Sequence, residues 1–421
     1  MLIKKIQDYG VMDWYFLLLL LFALFVNFPI PFTRYISYVL AIFWAFNYSK
    51  FEWKGLKSPI LMSTVSLYLI LAVGLLYSDE IFKGAYKLDK GSGLIFLPVV
   101  FFTMPRLSKE RIDAILLFFV VGTVLAVLYC LGMSWYQLYT DGINSFYNGY
   151  YDQIVYVEWD KFGTQMPMFI VSNHVYMGLY IVFAMGCCMY LFFGLKDKRY
   201  RYLLLLAFPL LVYFLFLIKA TMAFLALCSS SLLMIFLSEI DKKAKIMLFL
   251  GGIIVLAAGL SINKGMVRKV SELFNLSAYE VANSHPDNHL ASRVGIYQCA
   301  FVAVKDNLPF GTGTGDAQTA LNACYKERAY KAWLERGLNT HNQYLHYMLM
   351  FGFIGLLLFS FALFYPILRS VEQKHFLYLF FLLVFAQCSL TENLLTVNKG
   401  VMLFGFFNGL FGSTVSSNKS S

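Results

Sequence analysis

Charged residues are scarce in this sequence. Asp, Glu, Lys and Arg together make up 14% of the 421 positions, whereas they make up about a quarter of an ordinary soluble domain. So few charges exclude such a domain, because its surface depends on them for solubility. Hydrophobic residues instead make up 59% of the chain and aromatic residues 18%. The composition therefore predicts a protein that crosses a membrane many times.

A concentrated basic patch is also missing, although the formal net charge is +10. The lysines and arginines are spread over short connections between apolar runs, so we expect no nucleic-acid partner. Most of them fall in connections on one side of the predicted membrane helices. The excess of basic residues on the cytoplasmic side of membrane proteins then places the N-terminus inside.

Cysteine is infrequent, with seven residues in the chain. Five of the seven lie inside apolar runs, where they are interpreted as small core residues. Only Cys299 and Cys324 lie in the longest polar stretch. These two could pair if that stretch faces an oxidising compartment, but cysteine usage alone favours free thiols.

Apolar runs long enough to cross a bilayer recur along the chain. About twenty apolar residues are needed for one crossing. Lys4 and Lys5 precede the first run, and no small-residue cleavage site follows it, so we expect a retained anchor helix rather than a signal peptide. The spans are predicted near residues 14–30, 32–48, 59–77, 92–104, 112–139, 172–194, 201–217, 220–238, 245–262, 341–368, 376–391 and 396–413. The prediction is an all-α polytopic membrane protein with about twelve transmembrane helices and a large outer loop containing amphipathic helices.

Two polar segments separate these spans on the outer side. Residues 140–170 form a smaller, aromatic and acidic loop, and residues 263–340 form the larger loop. Inside the larger loop, apolar spacing predicts surface helices over Ser292–Asn307 and Ala317–Arg336. The predicted organisation is thus residues 1–262 with nine spans, the loop 263–340, residues 341–413 with three spans, and a disordered cytoplasmic tail at 414–421.

The segment Leu338–Leu368 joins the larger loop to an apolar run. If Asn339 or Thr340 caps a helix that starts near His341, the imidazole lies at the positive end of a helix dipole. Free backbone N–H groups at such an end favour an anion. An anionic lipid headgroup would suit this position.

The same segment resembles the O-antigen ligase and Wzy-type polymerase family of bacterial membrane glycosyltransferases. Members of that family have a His-Asn pair where a transmembrane helix opens, and Gly-x-x-Gly-Leu further along. The matching residues here are His341, Asn342, Gly352, Gly355 and Leu356.

A second mark of the family is an arginine-led amphipathic helix closed by a Pro-x-Gly-x-Gly turn. Residues Ala291–Asp316 look like this unit. The resemblance extends over roughly Ser292–Leu363, and elsewhere it is only one of topology.

The resemblance implies an enzyme of the bacterial inner membrane whose active site faces the periplasm. Its donor would be an undecaprenyl-diphosphate-linked glycan, and transfer would invert the anomeric centre without a metal or other cofactor. The acceptor would be lipid A core in a ligase, another glycan in a polymerase, or a protein hydroxyl, with the ligase favoured. Membrane lipids are the remaining expected partners.

The two expected catalytic residues are Arg293 and His341. A guanidinium is always charged and forks onto phosphate oxygens, which suits Arg293 to the diphosphate. An imidazole is neutral near pH 7, which suits His341 to take the proton of the acceptor hydroxyl or to contact the diphosphate. A snorkelling arginine and a structural histidine are the competing interpretations.

Five further residues are predicted to bind substrate, namely Lys219, Asn342, Arg336, His174 and Glu392. The family has a second arginine in a Ser-Arg pair, but Thr221 stands near that place here, so Lys219 is the candidate to supply the missing cation. Glu392 is the reserve choice for the base. For His174 and Glu392 the residues by themselves favour packing or helix capping, and lining the same cavity is the functional interpretation.

Two other motifs invite functional interpretations that the sequence does not favour. Gly311, Gly313 and Gly315 could form an anion nest of backbone amides, but no Walker pattern is present and a structural turn is the preferred interpretation. His285, Asp287 and His289 could chelate a metal weakly, but a solvated loop is far commoner. His346 lies five residues after His341 and faces another side of the helix, so no metal site is expected at that pair.

The main rival function is a polytopic transporter or flippase of lipid-linked oligosaccharide. Transporters place their binding groups at mid-membrane in repeated halves, whereas this chain gathers its polar groups in one outer loop. A catalytically inert assembly partner is the third possibility.

Overall fold

The computed structural model describes residues 10–141, 145–148, 153–156, 163–170, 172–237, 241, 243, 245–246 and 289–416. Side chains at 141–162 and 289–291 are not described. Several predictions lie outside the described residues. These are the N-terminal lysines, most of the ninth span, residues 263–288 of the larger loop, the metal motif at His285 and Asp287 with the side chain of His289, and the tail beyond residue 416.

Helices dominate the described part of the chain. Before the larger loop they are α1 Val11–Phe25, α2 Ile30–Phe46, α3 Pro59–Leu75, α4 Ile81–Gly91, α5 Gly93–Thr103, α6 Lys109–Asp141, α7 His174–Gly194, α8 Lys198–Leu217 and α9 Thr221–Leu237. From the larger loop onward they are α10 His289–Asp306, α11 Ala317–Glu327, α12 Lys331–Arg336, α13 Gln343–Glu372, α14 Phe376–Cys388 and α15 Asn398–Val415. The predicted all-α class is confirmed.

The smaller loop contains a feature that the sequence analysis missed. Strands β1 Ser145–Asn148 and β2 Gln153–Tyr156 form an antiparallel hairpin, with Ser145 opposite Tyr156 and Asn148 opposite Gln153. Short 3-10 turns also occur at Tyr48–Lys50, Trp53–Lys57, Met166–Ile170 and Leu394–Thr396.

Four described helices are long and apolar enough to cross a membrane, namely α6, α7, α8 and α13. Five shorter apolar helices accompany them, namely α1, α2, α3, α9 and α14. The chain is therefore a membrane protein with many apolar helices, but the predicted count of twelve spans is not supported. The predicted division of the chain into regions stays a prediction.

Helix α15 forms the centre of the bundle. Almost every residue from Asn398 to Phe411 is buried, and its aromatic rings stack into a cluster with rings of neighbouring helices. Phe406 stacks on Phe22 of α1 and meets Phe101 of α5 edge to face. Because α15 is buried on every face, other helices of the bundle surround it.

The larger loop contributes three short helices. α10 was predicted closely, but the predicted helix Ala317–Arg336 is split into α11 and α12 by a turn in which Ala329 has a φ of 57°. Cys299 of α10 and Cys324 of α11 form a disulfide. The structure thus contains the pairing that the sequence left open.

Helix α13 is broken one third of the way along. Phe351 has φ −133° and ψ 16°, and Gly352 has φ 63° and ψ −154°. A positive φ of this kind is easy only for glycine. At the break, the carbonyl groups of Leu349 and Met350 accept hydrogen bonds from the N–H groups of Thr312 and Gly313.

Candidate functional site

His341 lies just before the start of α13. The helix begins at Gln343 and its N-cap is Asn342, whose Oδ1 accepts a hydrogen bond from the N–H of Leu345 at 3.0 Å. The predicted cap at Asn339 or Thr340 is therefore wrong by two to three residues. Asn339 instead accepts from the N–H of His341 at 2.9 Å, and His341 has a φ of 43°. The sequence did not show this tight turn, because asparagine caps helices and also forms such turns.

The N-terminus of α13 is largely closed to an anion. The N–H groups of Asn342, Gln343 and Leu345 donate to the side chain of Asn393, the carbonyl of Ser389 and the side chain of Asn342. The expectation that free amides receive a headgroup is thus wrong for these three donors. Any anion near His341 must be held mainly by side chains.

The turn after α14 fixes the segment that contains His341. Asn393 is fully buried, and its Oδ1 accepts hydrogen bonds from Thr340 Oγ1 at 3.0 Å and from the N–H of Asn342 at 2.9 Å. Its carbonyl accepts from the hydroxyl of Tyr176 on α7 at 3.0 Å. Asn393 therefore joins the starts of α7 and α13.

Glu392 occupies the same turn, and its carboxylate lies beside the imidazole of His341. Glu392 Oε1 lies 3.3 Å from His341 Nδ1. The side chain of His341 is 27% exposed and that of Glu392 is 9% exposed. The carboxylate is thus covered by protein, while one side of the imidazole remains accessible. Both predicted residues are brought together, although 51 positions separate them in the sequence.

The environment keeps Glu392 ionised. Burial by itself raises the pKa of this carboxyl, but four favourable interactions outweigh burial and place the pKa below its ordinary value. The interactions are the hydrogen bond to His341, the charges of His341 and Arg293, and the hydrogen bond from the N–H of Asn393. Glu392 is therefore an anion at neutral pH.

Arg293 approaches this pair from α10. Its guanidinium is half-buried, and its positive charge lowers the pKa of Glu392. One helical turn later, the Tyr297 hydroxyl donates to the carbonyls of His341 at 3.3 Å and Leu390 at 3.2 Å. Burial raises the pKa of Tyr297, so its hydroxyl stays protonated and able to donate.

Sequence reasoning missed the role of Tyr297, and it named Asn393 only beside Glu392, as a residue at the outer end of a span that could line the same cavity. The signal for Tyr297 was its spacing, because residues i and i+4 share one face of a helix and Tyr297 is four residues from Arg293. Asn393 carried a weaker signal as the neighbour of Glu392. Neither residue could be assigned without knowing that the turn after α14 meets the start of α13.

The remaining predicted residues lie at other helix ends. Lys219 is half-buried in the connection between α8 and α9, with a φ of 52°. His174 is the half-buried first residue of α7, and Asn173 caps that helix by accepting from the N–H groups of Val175 and Tyr176. Arg336 is exposed at the end of α12. Substrate binding by these three residues and by Asn342 stays a prediction.

The glycine-rich turn between α10 and α11 uses its backbone amides internally. The N–H of Gly311 donates to the carbonyl of Asn307, and the N–H groups of Thr312 and Gly313 donate to the carbonyls of Leu349 and Met350. The N–H of Thr314 donates to the carbonyl of Gly74, and that of Gly315 donates to the hydroxyl of Ser78. The side chain of Asp316 accepts from the N–H groups of Asp79 and Glu80 at the start of α4. The structural interpretation of this turn is therefore confirmed, and an anion nest is excluded at these five amides.

No group of three or more His, Cys, Asp or Glu side chains arranged to hold a metal occurs in the described part of the chain. His346, the other histidine of α13, is buried and sits within the bundle. The charged groups that the structure gathers near His341 are a guanidinium and a carboxylate.

The arrangement has the elements of acid–base chemistry beside an anion. A carboxylate that accepts from Nδ1–H fixes the imidazole tautomer and leaves Nε2 free to take a proton. An arginine beside them supplies permanent positive charge. These side chains come from α10, from the start of α13 and from the turn after α14.

One comparison with known protein families gives a match. A family model described as O-Antigen ligase matches residues 206–360. That range contains Arg293 and His341, and it ends before Glu392. No curated protein matches the chain. The chain is therefore similar to the O-antigen ligase family over residues 206–360, which confirms the resemblance predicted from its sequence.

Proposed function

We propose that this protein is a membrane glycosyltransferase that moves a glycan from undecaprenyl diphosphate to a hydroxyl group on the periplasmic side of the inner membrane. The family match supports a ligase-type or polymerase-type membrane enzyme. The observation that carries the proposal is the pairing of His341 Nδ1 with the buried Glu392 Oε1 at 3.3 Å, beside the charge of Arg293.

In the proposed reaction, the oxygen of the acceptor hydroxyl attacks the anomeric carbon of the donor sugar. At the same time, His341 Nε2 removes the proton of that hydroxyl. The bond between that carbon and the diphosphate oxygen breaks, and the electron pair leaves with the diphosphate. Direct attack from the opposite face inverts the anomeric centre. General-base assistance of this kind contributes about 10²- to 10⁴-fold to the rate.

Glu392 and Arg293 have complementary roles in this scheme. Glu392 accepts from Nδ1–H and stabilises the imidazolium that forms when Nε2 gains a proton. Arg293 binds the diphosphate and neutralises the charge that grows as the sugar leaves. Its guanidinium also balances the carboxylate in the free enzyme, since it helps to keep Glu392 ionised. The mechanism assigns no step to a metal.

Lipid A core is the proposed acceptor, and the alternative within the same chemistry is another glycan unit. Ligation and polymerisation differ only in the molecule that offers the hydroxyl, so the site residues serve both. Analysis of the product separates them, because a ligase attaches glycan to lipid A core whereas a polymerase lengthens the glycan on its lipid carrier.

The test measures glycan transfer in vesicles that contain purified donor and acceptor lipids. Arg293→Ala and His341→Ala should each lower transfer by about a hundredfold or more. Matched controls are Arg106→Ala, an exposed arginine after α5, and His375→Asn, which keeps a capping side chain at the start of α14. Wild-type transfer in both site variants, with normal membrane insertion, would refute the proposal.

The same vesicles distinguish the rival transport function. A flippase would move the lipid-linked oligosaccharide across the bilayer without forming a glycosidic bond. Flux of the lipid-linked oligosaccharide without a new glycosidic bond, at a rate that Arg293→Ala and His341→Ala leave unchanged, would show that the protein is a transporter and not an enzyme.

A further inference from the structure

The disulfide between Cys299 and Cys324 lies outside the proposed chemistry but close to it in the chain. Cys299 is on α10, six residues after Arg293, and Cys324 is on α11. Both cysteines are buried. The described free cysteines lie elsewhere, on α6, α7, α9 and α14. The disulfide connects α10 and α11, two helices of the larger loop.

One end of the connection leads to the diphosphate-binding arginine. Arg293, Tyr297 and Cys299 lie on the same helix. The Tyr297 hydroxyl contacts the carbonyls of His341 and Leu390, so a rotation or shift of α10 would displace the guanidinium and the tyrosine together.

The other end leads to the segment before His341. Next to Cys324, the Tyr325 hydroxyl donates to the carbonyl of Leu338 at 3.2 Å. Gln318 Nε2, also on α11, donates to the same carbonyl at 3.1 Å. Leu338 precedes His341 by three residues, so α11 holds the backbone from which the imidazole projects.

The disulfide thus joins α10, which carries Arg293, to α11, which holds the backbone just before His341. The other described polar link between these two helices is from Arg328 to Gln298 at 3.1 Å, and it is exposed. An exposed hydrogen bond competes with water and restrains a helix weakly, whereas a covalent link cannot open by thermal motion.

We propose that Cys299 and Cys324 are positioning residues whose oxidation assembles the site, so that the enzyme gains full activity only after the larger loop reaches an oxidising compartment. This inference rests on the proposed function. The partner it requires is a thiol–disulfide oxidant protein. Its disulfide accepts two electrons and two protons as the two cysteine thiols become one disulfide, through a mixed-disulfide intermediate.

The enzyme would then become fully active only after its larger loop had crossed the membrane. Disulfides persist in oxidising compartments and are reduced in the cytosol. A chain whose larger loop had not yet crossed the membrane would keep both thiols reduced, and α10 would then be held to α11 by packing and the exposed link alone. Arg293 and His341 would lose their fixed separation.

The experiment compares oxidised and reduced protein in lipid nanodiscs. Two routes remove the disulfide: the Cys299→Ser/Cys324→Ser double variant, and reduction and alkylation of the folded wild type, which does not depend on folding without the bond. The control is Cys228→Ser, a half-buried free cysteine on α9. Transfer is measured over a range of donor concentrations, and amide hydrogen exchange is measured over residues 293–299 and 338–346.

Loss of the disulfide should lower kcat/KM for the donor by about tenfold or more, because small displacements of catalytic groups are costly. KM for the donor should rise, since Arg293 binds the diphosphate, and exchange should accelerate in both segments. Cys228→Ser should change neither. A double variant with wild-type kcat/KM and wild-type exchange would overturn the inference.

Failure of the inference and failure of the proposed function give different results. If His341→Ala abolishes transfer while reduced protein transfers normally, only the inference fails. If wild-type protein transfers no glycan, the proposed function fails. The claim about activity then fails with it, and the exchange measurement separately tests whether the disulfide positions residues 338–346, because that measurement requires no substrate.

Discussion

The start of α13 and the glycine-rich turn at residues 309–316 look alike as sequences, since both could offer backbone amides to an anion. In the structure, the two segments differ in the groups that their backbone N–H donors bond to and in the side chains that they present. The amides of the glycine-rich turn are all used between residues 311 and 315 to fasten α10 and α11 to α3 and to the break in α13. Three amides at the start of α13 are also used internally, but this segment brings His341 to Glu392.

Under the proposed function, the anion is therefore recognised by side chains and not by a backbone nest at these amides. Arg293 and His341 project from elements that the glycine-rich turn and the turn after α14 hold in place. One segment therefore provides rigidity and the other provides charge. Substitutions in the glycine-rich turn should impair folding, whereas substitutions at the charged side chains should impair transfer while leaving folded protein in the membrane.

The largest effect is expected from Gly352→Ala, at the break that receives the glycine-rich turn. A Cβ there would lie 1.7 Å from the carbonyl oxygen of Pro309. The φ of 63° and ψ of −154° also fall in a region that is essentially restricted to glycine, which adds strain of about 1–3 kcal/mol. The turn and α13 cannot both keep their positions, so we expect little folded protein. The measurement is the amount of protein in the membrane and its thermal stability.

Gly132→Ala is the matched control for this prediction. It lies within α6, and a Cβ there would meet no atom within 4 Å, so the variant should accumulate like the wild type. Normal accumulation of Gly352→Ala would show that the turn does not depend on this close approach.

The second effect is on transfer and comes from Glu392→Gln. The amide keeps the shape of the side chain but removes the charge that stabilises the imidazolium, so transfer should fall by about a hundredfold. Folded protein should still be present. Glu335→Gln, an exposed acid on α12, is the matched control. Equal transfer in the two variants would remove Glu392 from the mechanism.

The same variant tests the pH dependence of stability. Because the folded protein lowers the pKa of Glu392, its carboxylate stabilises the fold above the unfolded-state pKa of about 4.3. That contribution is lost as the pH falls through the lower, folded-state pKa. Wild type should therefore melt at a higher temperature than Glu392→Gln at pH 7, and the difference should shrink below about pH 4. A difference that grows on acidification would contradict the assignment.

The smallest effect is expected from Tyr297→Phe. The substitution removes a hydroxyl that donates to the carbonyls of His341 and Leu390. A neutral hydrogen bond contributes about 1 kcal/mol, so a loss of transfer of about fivefold is expected with little change in the amount of protein. Tyr129→Phe, exposed on α6, is the control. A loss as large as that of Arg293→Ala would mean that Tyr297 contacts the substrate itself.

Much of the fold could be predicted because apolar segments of sufficient length have few alternatives in a membrane. Helices α3, α7, α8 and α9 begin and end within a few residues of the predicted spans. The hairpin at β1 and β2 and the split between α11 and α12 were missed, because short polar segments have weak periodicity and their turns depend on local packing. The predicted twelve spans were not supported, since apolar length alone does not distinguish a crossing helix from a shorter buried one.

The candidate site was predictable only in part. The sequence singled out Arg293, His341 and Glu392 as chemically suitable residues. It indicated the family over roughly Ser292–Leu363, and the family model matches the longer range 206–360. It did not reveal that Glu392 contacts His341, because 51 positions separate them. The roles of Tyr297 and Asn393 were also hidden, since each depends on a neighbour from a different helix.

The sequence by itself determined that this chain is a helical membrane protein with a long polar loop, because hydrophobic length and composition act locally along the chain. Only the tertiary structure decided which charges meet and which amides remain available. Packing joins α10, the start of α13 and the turn after α14 into one cluster, and it uses the donors of the glycine-rich turn elsewhere. These outcomes depend on contacts between distant segments, which no local pattern specifies.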